Sequence, residues 1–162
     1  MRERLPSPFV ADRPALDHAL PEVRHVPGTG SMPELALLDK IKALAPPRTD
    51  PTAWRGNVPY LYGMALFEAG FYWEAHEVWE PVWMNCAPNS PERHLLQALI
   101  QYANAALKRD MARARATRRL IDDCSKHLVR VPRRSGQGVL MGVDVVRWLA
   151  LLAGQIAAMD AL

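Results

Sequence analysis

Ten of the fourteen prolines of this 162-residue chain fall at or before Pro59, and the 103 residues that follow contain four. Proline fixes φ and removes a backbone donor, so residues 1–30 are predicted to be extended or irregular. Downstream, apolar residues recur at helical spacing. No segment alternates apolar and polar residues with period two for long enough to predict a strand. The chain is therefore predicted to be all-α: a compact bundle of about five or six helices in a single domain over residues 31–162, preceded by a proline-rich N-terminal arm over residues 1–30. Phe9, Val10 and Leu16 are the residues able to pin that arm to the body, and a wrapped arm and a disordered tail stand as equal alternatives. Apolar residues make up 49% and charged residues 23%, an ordinary globular balance that excludes a wholly disordered or collagen-like chain.

Local signals place the helices. Ser31-Met32-Pro33-Glu34 matches a capping box with proline at an early helical position. Leu35, Leu38 and Ile41 follow at helical spacing, and Pro46-Pro47 stop the run near Ala45. Residues 46–58 read as a loop. A second helix is predicted from Pro59 to Gly70, with Gly70 as its left-handed terminus, and a third from Tyr72 to Met84. The fourth takes Ser90 as cap and Pro91 as its first residue and ends near Lys108, burying Leu95, Leu96, Leu99, Ile100, Ala103 and Leu107. The fifth covers about 110–129, with Thr117, Leu120, Ile121, Cys124 and Leu128 inward. After a loop, the last runs from about Val143 to Met159, with Asp144 at the positive end of its dipole.

Nine of the twelve aromatic residues lie between positions 54 and 83. Each buries roughly 150–250 Å², so this stretch marks the centre of the core. Gly63, Leu66, Gly70, Tyr72, Ala75 and Trp79 sit at the offsets of a tetratricopeptide repeat. The pattern occurs once, which implies one tetratricopeptide-like hairpin rather than a solenoid. A longer match runs from Ala65 through Phe67, Gly70, Phe71, Glu74-Ala75-His76-Glu77, Glu80 and Trp83 to Leu96-Gln97-Ala98-Leu99-Ile100-Gln101. It resembles the signature of the domain of unknown function family 309. The resemblance implies a compact helical bundle of bacterial and archaeal proteins with no established activity. Pro81 departs from the family pattern. By removing the hydrogen bond to the Glu77 carbonyl it is expected to kink or end the third helix.

Three constellations carry the chemistry. His76 and Glu80 are four apart on one helical face beside Tyr72, Trp79 and Trp83, with Glu74 and Glu77 directed more toward solvent. An imidazole and a carboxylate one turn apart can bind a divalent metal or act as an acid–base pair. The zinc-protease motif needs histidine where this chain has Glu80, so a metal would require a third ligand such as His94 or Glu77. The plain alternative is a boundary histidine bonded to Glu80. Gln97 and Gln101, with His94 and Asn104, form a second stripe almost opposite the core face of the fourth helix. This is either a solvated side or, where the third helix crosses it, a polar cluster with His76 and Glu80 that locks the hairpin or lines a ligand pocket. The third is residues 108–134, ten basic against three acidic side chains, with Arg115, Arg118, Arg119 and Lys126 on the outer face of the fifth helix. It reads as a basic solvated face or an anion-binding one, and Arg133-Arg134 beside Gly136-Gln137-Gly138 offers a second place for an anion. No aromatic residue interleaves the stretch, so base stacking has no support.

Cys86 and Cys124 exclude a disulfide framework and a four-cysteine zinc site. Cys124 falls on an inward face near His127 and reads as a small buried hydrophobe. The net charge of +3 is too small to imply a nucleic-acid partner by itself. No targeting or membrane-spanning segment is read, so a cytoplasmic setting is expected. The function that follows is a non-catalytic helical domain that binds a partner protein or small ligand through its hairpin. The alternatives are a metal-dependent, hydrolase-like enzyme using the His76–Glu80 cluster and a nucleic-acid accessory protein acting through the basic helix.

Overall fold

The computed structural model describes residues 4–132 and 138–162. Six α-helices and one 3₁₀ helix form among them: α1 (Leu35–Lys42), the 3₁₀ turn Pro51–Gly56, α2 (Val58–Glu68), α3 (Tyr72–Met84), α4 (Pro91–Asp110), α5 (Ala114–Val129) and α6 (Val145–Asp160). The all-α expectation holds, with one small addition. Val139–Leu140 (β1) pairs antiparallel with Val143–Asp144 (β2), and Phe9 bridges to Val143 from the arm. Two-residue strands are too short to leave a period-two signal. Their turn, Met141-Gly142, has φ of 50° and 76°, the positive pair that a tight right-twisted hairpin needs. A side chain at Gly142 would also meet the Trp54 ring at 2.8 Å.

Each helix packs on the next in chain order from α2 to α6, and α1 lies against α2 and α3. Helix α2 has a single charged residue, Glu68, and buries Tyr60, Leu61, Tyr62, Met64, Leu66 and Phe67; a helix apolar on every side belongs in the middle of a bundle. Its start is set by Asn57, whose Oδ1 accepts from the Tyr60 N–H. Its end is a complete Schellman motif. Gly70, at φ 87°, donates to Phe67 O and Phe71 donates to Leu66 O at 2.8 Å, as a left-handed glycine after a helix does.

Helix α3 then folds back so closely that Trp79 lies over Gly63. A Cβ at Gly63 would stand 2.1 Å from Trp79 Nε1. That indole nitrogen donates to Tyr60 O at 3.1 Å, and the ring packs on Phe67 and Phe9. Tyr60, Tyr62, Phe67, Tyr72 and Trp79 are buried, whereas Trp54, Phe71, Trp73 and Trp83 pack only partly covered against the core. Pro81 neither ends α3 nor shortens it, because the helix continues to Met84.

The arm wraps the body. Leu5 and Phe9 belong to the core, and Leu16 and Leu20 pack against it. Residues without a regular ladder must place their carbonyls elsewhere. Two buried tyrosines supply donors for them. Tyr62 Oη donates to Ala19 O, and Tyr102 Oη donates to Pro6 O. Burial in the apolar interior pushes the Tyr62 hydroxyl up to about 12.

Several local expectations are corrected. Ser31-x-x-Glu34 is not a capping box. Glu34 caps nothing and its Oε2 accepts from the Glu22 and Val23 amides, while Ser31 Oγ accepts from Val26 N–H. Helix α1 ends at Lys42 rather than near Ala45 and leaves Leu35 exposed. Helix α5 starts at Ala114, and Leu120 on it is half-buried. Glu74, expected toward solvent, is fully buried. The arm covers it: His25 N–H donates to both Glu74 oxygens at 3.3 and 3.4 Å, and the His25 ring stands edge-on to Trp73.

Two outcomes follow. Gly63→Ala forces Trp79 out of its place and should cost about 3 kcal/mol of stability, read as a lower urea midpoint. Burial raises the Glu74 carboxyl above its ordinary value, and the His25 amide offsets this only partly. The folded chain therefore binds that proton more tightly than the unfolded one. Its stabilising contribution is complete below the usual glutamate range and is lost as pH rises through the raised value. Glu74→Gln removes that loss, so its Tm at pH 7 should exceed the native one by about 3 °C, the scale of 1 kcal/mol in a domain of this size. The difference should close toward pH 4, and thermal unfolding across a pH series checks it.

Candidate functional site

The edge of α3 beside its buried Ala75, Val78, Trp79 and Val82 carries His76, Glu77 and Glu80. Successive turns of one helix bring residues three and four apart together. Ligand atoms of these three side chains lie within 4.8 Å of one another. His76 Nε2 is 3.8 Å from Glu80 Oε2. His76 and Glu77 are half-buried and Glu80 is exposed.

Two neighbouring helices orient the cluster. From α4, Asn104 Oδ1 lies 2.9 Å from His76 Nδ1. A carbonyl oxygen only accepts, so Nδ1 carries the proton, and in the neutral ring Nε2 keeps its lone pair on the Glu80 side. From α1, Lys42 Nζ donates to Glu77 Oε2 at 2.8 Å. The ammonium cancels one of the two carboxylate charges, which lowers the repulsion of holding Glu77 and Glu80 one turn apart. The arrangement is a one-nitrogen, two-carboxylate donor set on a rigid helix. Its imidazole is held by a second-layer acceptor, as in metal-binding histidines.

The amide that reaches the imidazole is Asn104, not Gln97 or Gln101. Those two are half-buried on the same α4 stripe, and among the described residues neither hydrogen-bonds to His76 or Glu80. His94 stands apart from the three-residue donor set.

The outer face of α5 is less open than its composition implies. Arg118 makes a bidentate pair with Asp160 at 2.7 and 2.8 Å, and Lys126 pairs with Asp122. Arg115 and Arg119 are exposed. Arg133, Arg134, Gly136 and Gln137 lie outside the described residues. Both thiols are free and buried. Burial pushes Cys86 up to about 11 and Cys124 well above its ordinary value, which disfavours the thiolate each would need as a nucleophile. Cys124 is thus the buried hydrophobe its spacing implied. The described helices include none long and apolar enough to cross a membrane.

Sequence reasoning did not find Lys42, because a lysine near a helix end carries no pattern linking it to a glutamate 35 positions away. It put Asn104 on the right stripe without its role, since periodicity gives a face and not the axial register between two helices.

No curated protein and no solved structure matches the chain. Residues 60–120, which run from the first turn of α2 through the first two turns of α5 and include His76, Glu77, Glu80 and Asn104, match the family model described as Domain of unknown function (DUF309). The family resemblance therefore stands: over this segment the chain is similar to a family of unknown function.

Proposed function

We propose that the chain is a non-catalytic helical binding domain that engages a partner protein or small ligand through the polar edge of the α2–α3 hairpin. In this reading His76 Nε2 and the carboxylates of Glu77 and Glu80 hold a divalent cation of the zinc class. The observation that carries it is the convergence of three ligand atoms within 4.8 Å around a histidine whose other ring nitrogen is committed to Asn104. Three protein donors leave at least one position of a four-coordinate cation for a donor from the bound molecule. Binding is favoured over turnover by the setting. Glu80 is exposed, and none of the three residues lines either described cavity, so the site lacks the dry, enclosed surroundings in which metal-assisted catalysis gains most. A reducing cytoplasm of a prokaryotic cell is the proposed setting, and the two free buried thiols fit it. The bundle supplies rigidity: α3 is fixed by Trp79 on one side and by Asn104 and Lys42 on the other.

Titration of tag-free protein with zinc chloride, followed by calorimetry and elemental analysis, is the test. One zinc per chain is expected. His76→Ala should weaken binding at least tenfold, and Asn104→Ala by about tenfold through loss of the ring's orientation. Lys42→Met frees Glu77 and should tighten binding by about threefold, the worth of a partly exposed ion pair. Circular dichroism of each variant separates a lost site from a lost fold. A folded wild type without saturable zinc uptake, or His76→Ala binding as the wild type does, would overturn the reading.

A further inference from the structure

The edge between α3 and α4 holds two side chains that the cation site leaves unused. Contacts fix its two ends. The Arg93 guanidinium lies 4.4 Å over the Trp83 ring, and Asn104 Oδ1 lies 2.9 Å from His76 Nδ1. These pairs run in opposite order along the two helices, so α3 and α4 are antiparallel here. Between the ends stand Gln97 and Gln101 on α4 and Glu80 on α3. At 100° per residue, Gln97, Gln101 and Asn104 fall within about 60° of one another, so their amides form one line along α4. Gln97 and Gln101 are half-buried, and among the described residues neither side chain has a hydrogen-bond partner.

A side-chain amide both donates and accepts. A residue of an extended peptide offers the matching pair, and alternate residues turn both their N–H and their C=O to the same side. Spacing decides whether two amides can use this. Four residues of α-helix rise about 6 Å, and two residues of extended chain span about 6.6–6.8 Å. Gln97 and Gln101 therefore meet alternate residues of one segment laid along the edge. A helical partner offers no such match, because its backbone groups are paired internally. The same line reaches the cation site. Asn104, which holds His76, lies about 4.5 Å beyond Gln101 along α4, little more than one further residue of the segment. Charge selects what stands there. Glu77 and Glu80 neutralise a zinc ion between them, and Lys42, whose ammonium reaches Glu77 Oε2 at 2.8 Å, leaves one positive charge beside it. The open coordination position therefore favours an anionic oxygen donor.

We infer that the α3–α4 edge docks an extended peptide segment that carries a carboxylate, with its backbone paired to Gln97 and Gln101 and its carboxylate at the open position of the cation. The carboxylate anchor rests on the cation reading of His76, Glu77 and Glu80, whereas the backbone pairing rests on the two glutamines. The terminal carboxylate of a chain and an aspartate side chain share this chemistry.

Nuclear magnetic resonance of the zinc-loaded full chain tests the assignment, with the side-chain amide signals of Gln97 and Gln101 as the readout. The probes are acetyl-pentaalanine with a free terminal carboxylate, its terminal amide, acetyl-Ala-Ala-Ala-Asp-Ala amide, and acetate alone. At least one of the two carboxylate-bearing peptides is expected to shift both signals and to saturate, and the tighter of the two identifies the source of the carboxylate. The uncharged peptide and acetate should each bind at least tenfold more weakly. Replacing both glutamines, Gln97→Ala with Gln101→Ala, should weaken the peptide about tenfold through loss of the backbone pairs and leave zinc and acetate affinity unchanged. Circular dichroism confirms that this variant is folded. Zinc uptake without a saturable peptide shift would overturn the inference and leave the cation site standing. So would a double variant that binds the peptide as the wild type does, or an uncharged peptide that binds as tightly as the charged ones. A chain that takes up no zinc would overturn the cation reading together with this one, so the two failures are distinct.

Discussion

The close approach of Trp79 to Gly63 fixes the hairpin on which everything else is mounted. Only a residue without a Cβ lets the indole lie against α2, and the indole nitrogen then reaches the Tyr60 carbonyl. That single contact sets both the distance and the rotation of α3. With Trp79 committed inward, His76 and Glu80, three residues before and one after it, fall about 60° and 100° away around the helix axis, at the edge facing α4 and α1. The polar site is thus a consequence of how the aromatic residue is seated. A change that lets α3 roll would move the imidazole away from Asn104 before it disturbed the core.

The arm extends the same logic to a segment with no regular structure. Its proline content denies it a helix, and most of its carbonyls have no ladder partner. Tyr62 and Tyr102, rising from α2 and α4, each offer a hydroxyl to one of those carbonyls, while Phe9 enters the aromatic cluster against Phe67 and Trp79. The cost of this cover appears at Glu74. A carboxyl that the α3 wheel directs outward is sealed beneath His25 with two long amide contacts, and burial shifts it toward its neutral form. Stability near neutral pH is lower for it.

The parts of the fold that were legible from the sequence rest on signals contained within one helix. The glycine at 70 ends α2 in a left-handed turn because no other residue takes that conformation so cheaply, and Ser90-Pro91 starts α4 because its side-chain acceptor meets the Arg93 amide. The misreadings have a common cause, a second segment that claims the same atoms. Glu34 could have closed a capping box, but amides twelve and eleven residues upstream take its carboxylate. Pro81 breaks one hydrogen bond, yet α3 continues because Val82 is buried and helical stability in a protein comes chiefly from packing. At the candidate site the pair His76–Glu80 was legible as an i, i+4 spacing. Asn104 and Lys42 were not legible as its partners, because they depend on how far α4 and α1 slide along α3.

Lys42 gives the site its character. Without it, Glu77 and Glu80 would put two negative charges beside one imidazole, and repulsion would spread them. With it, one carboxylate is neutralised and the helix face is stable as it stands. A cation entering between His76 and Glu80 must therefore compete with an ammonium for Glu77. If a cation does take Glu77 as proposed, it weakens the Lys42 contact that ties α1 to α3, so cation binding and the seating of α1 would be linked reciprocally. A surface ion pair contributes roughly 0–1 kcal/mol, so the coupling is modest. Its sign, however, follows from charge, because an ammonium and a cation held by one carboxylate repel each other.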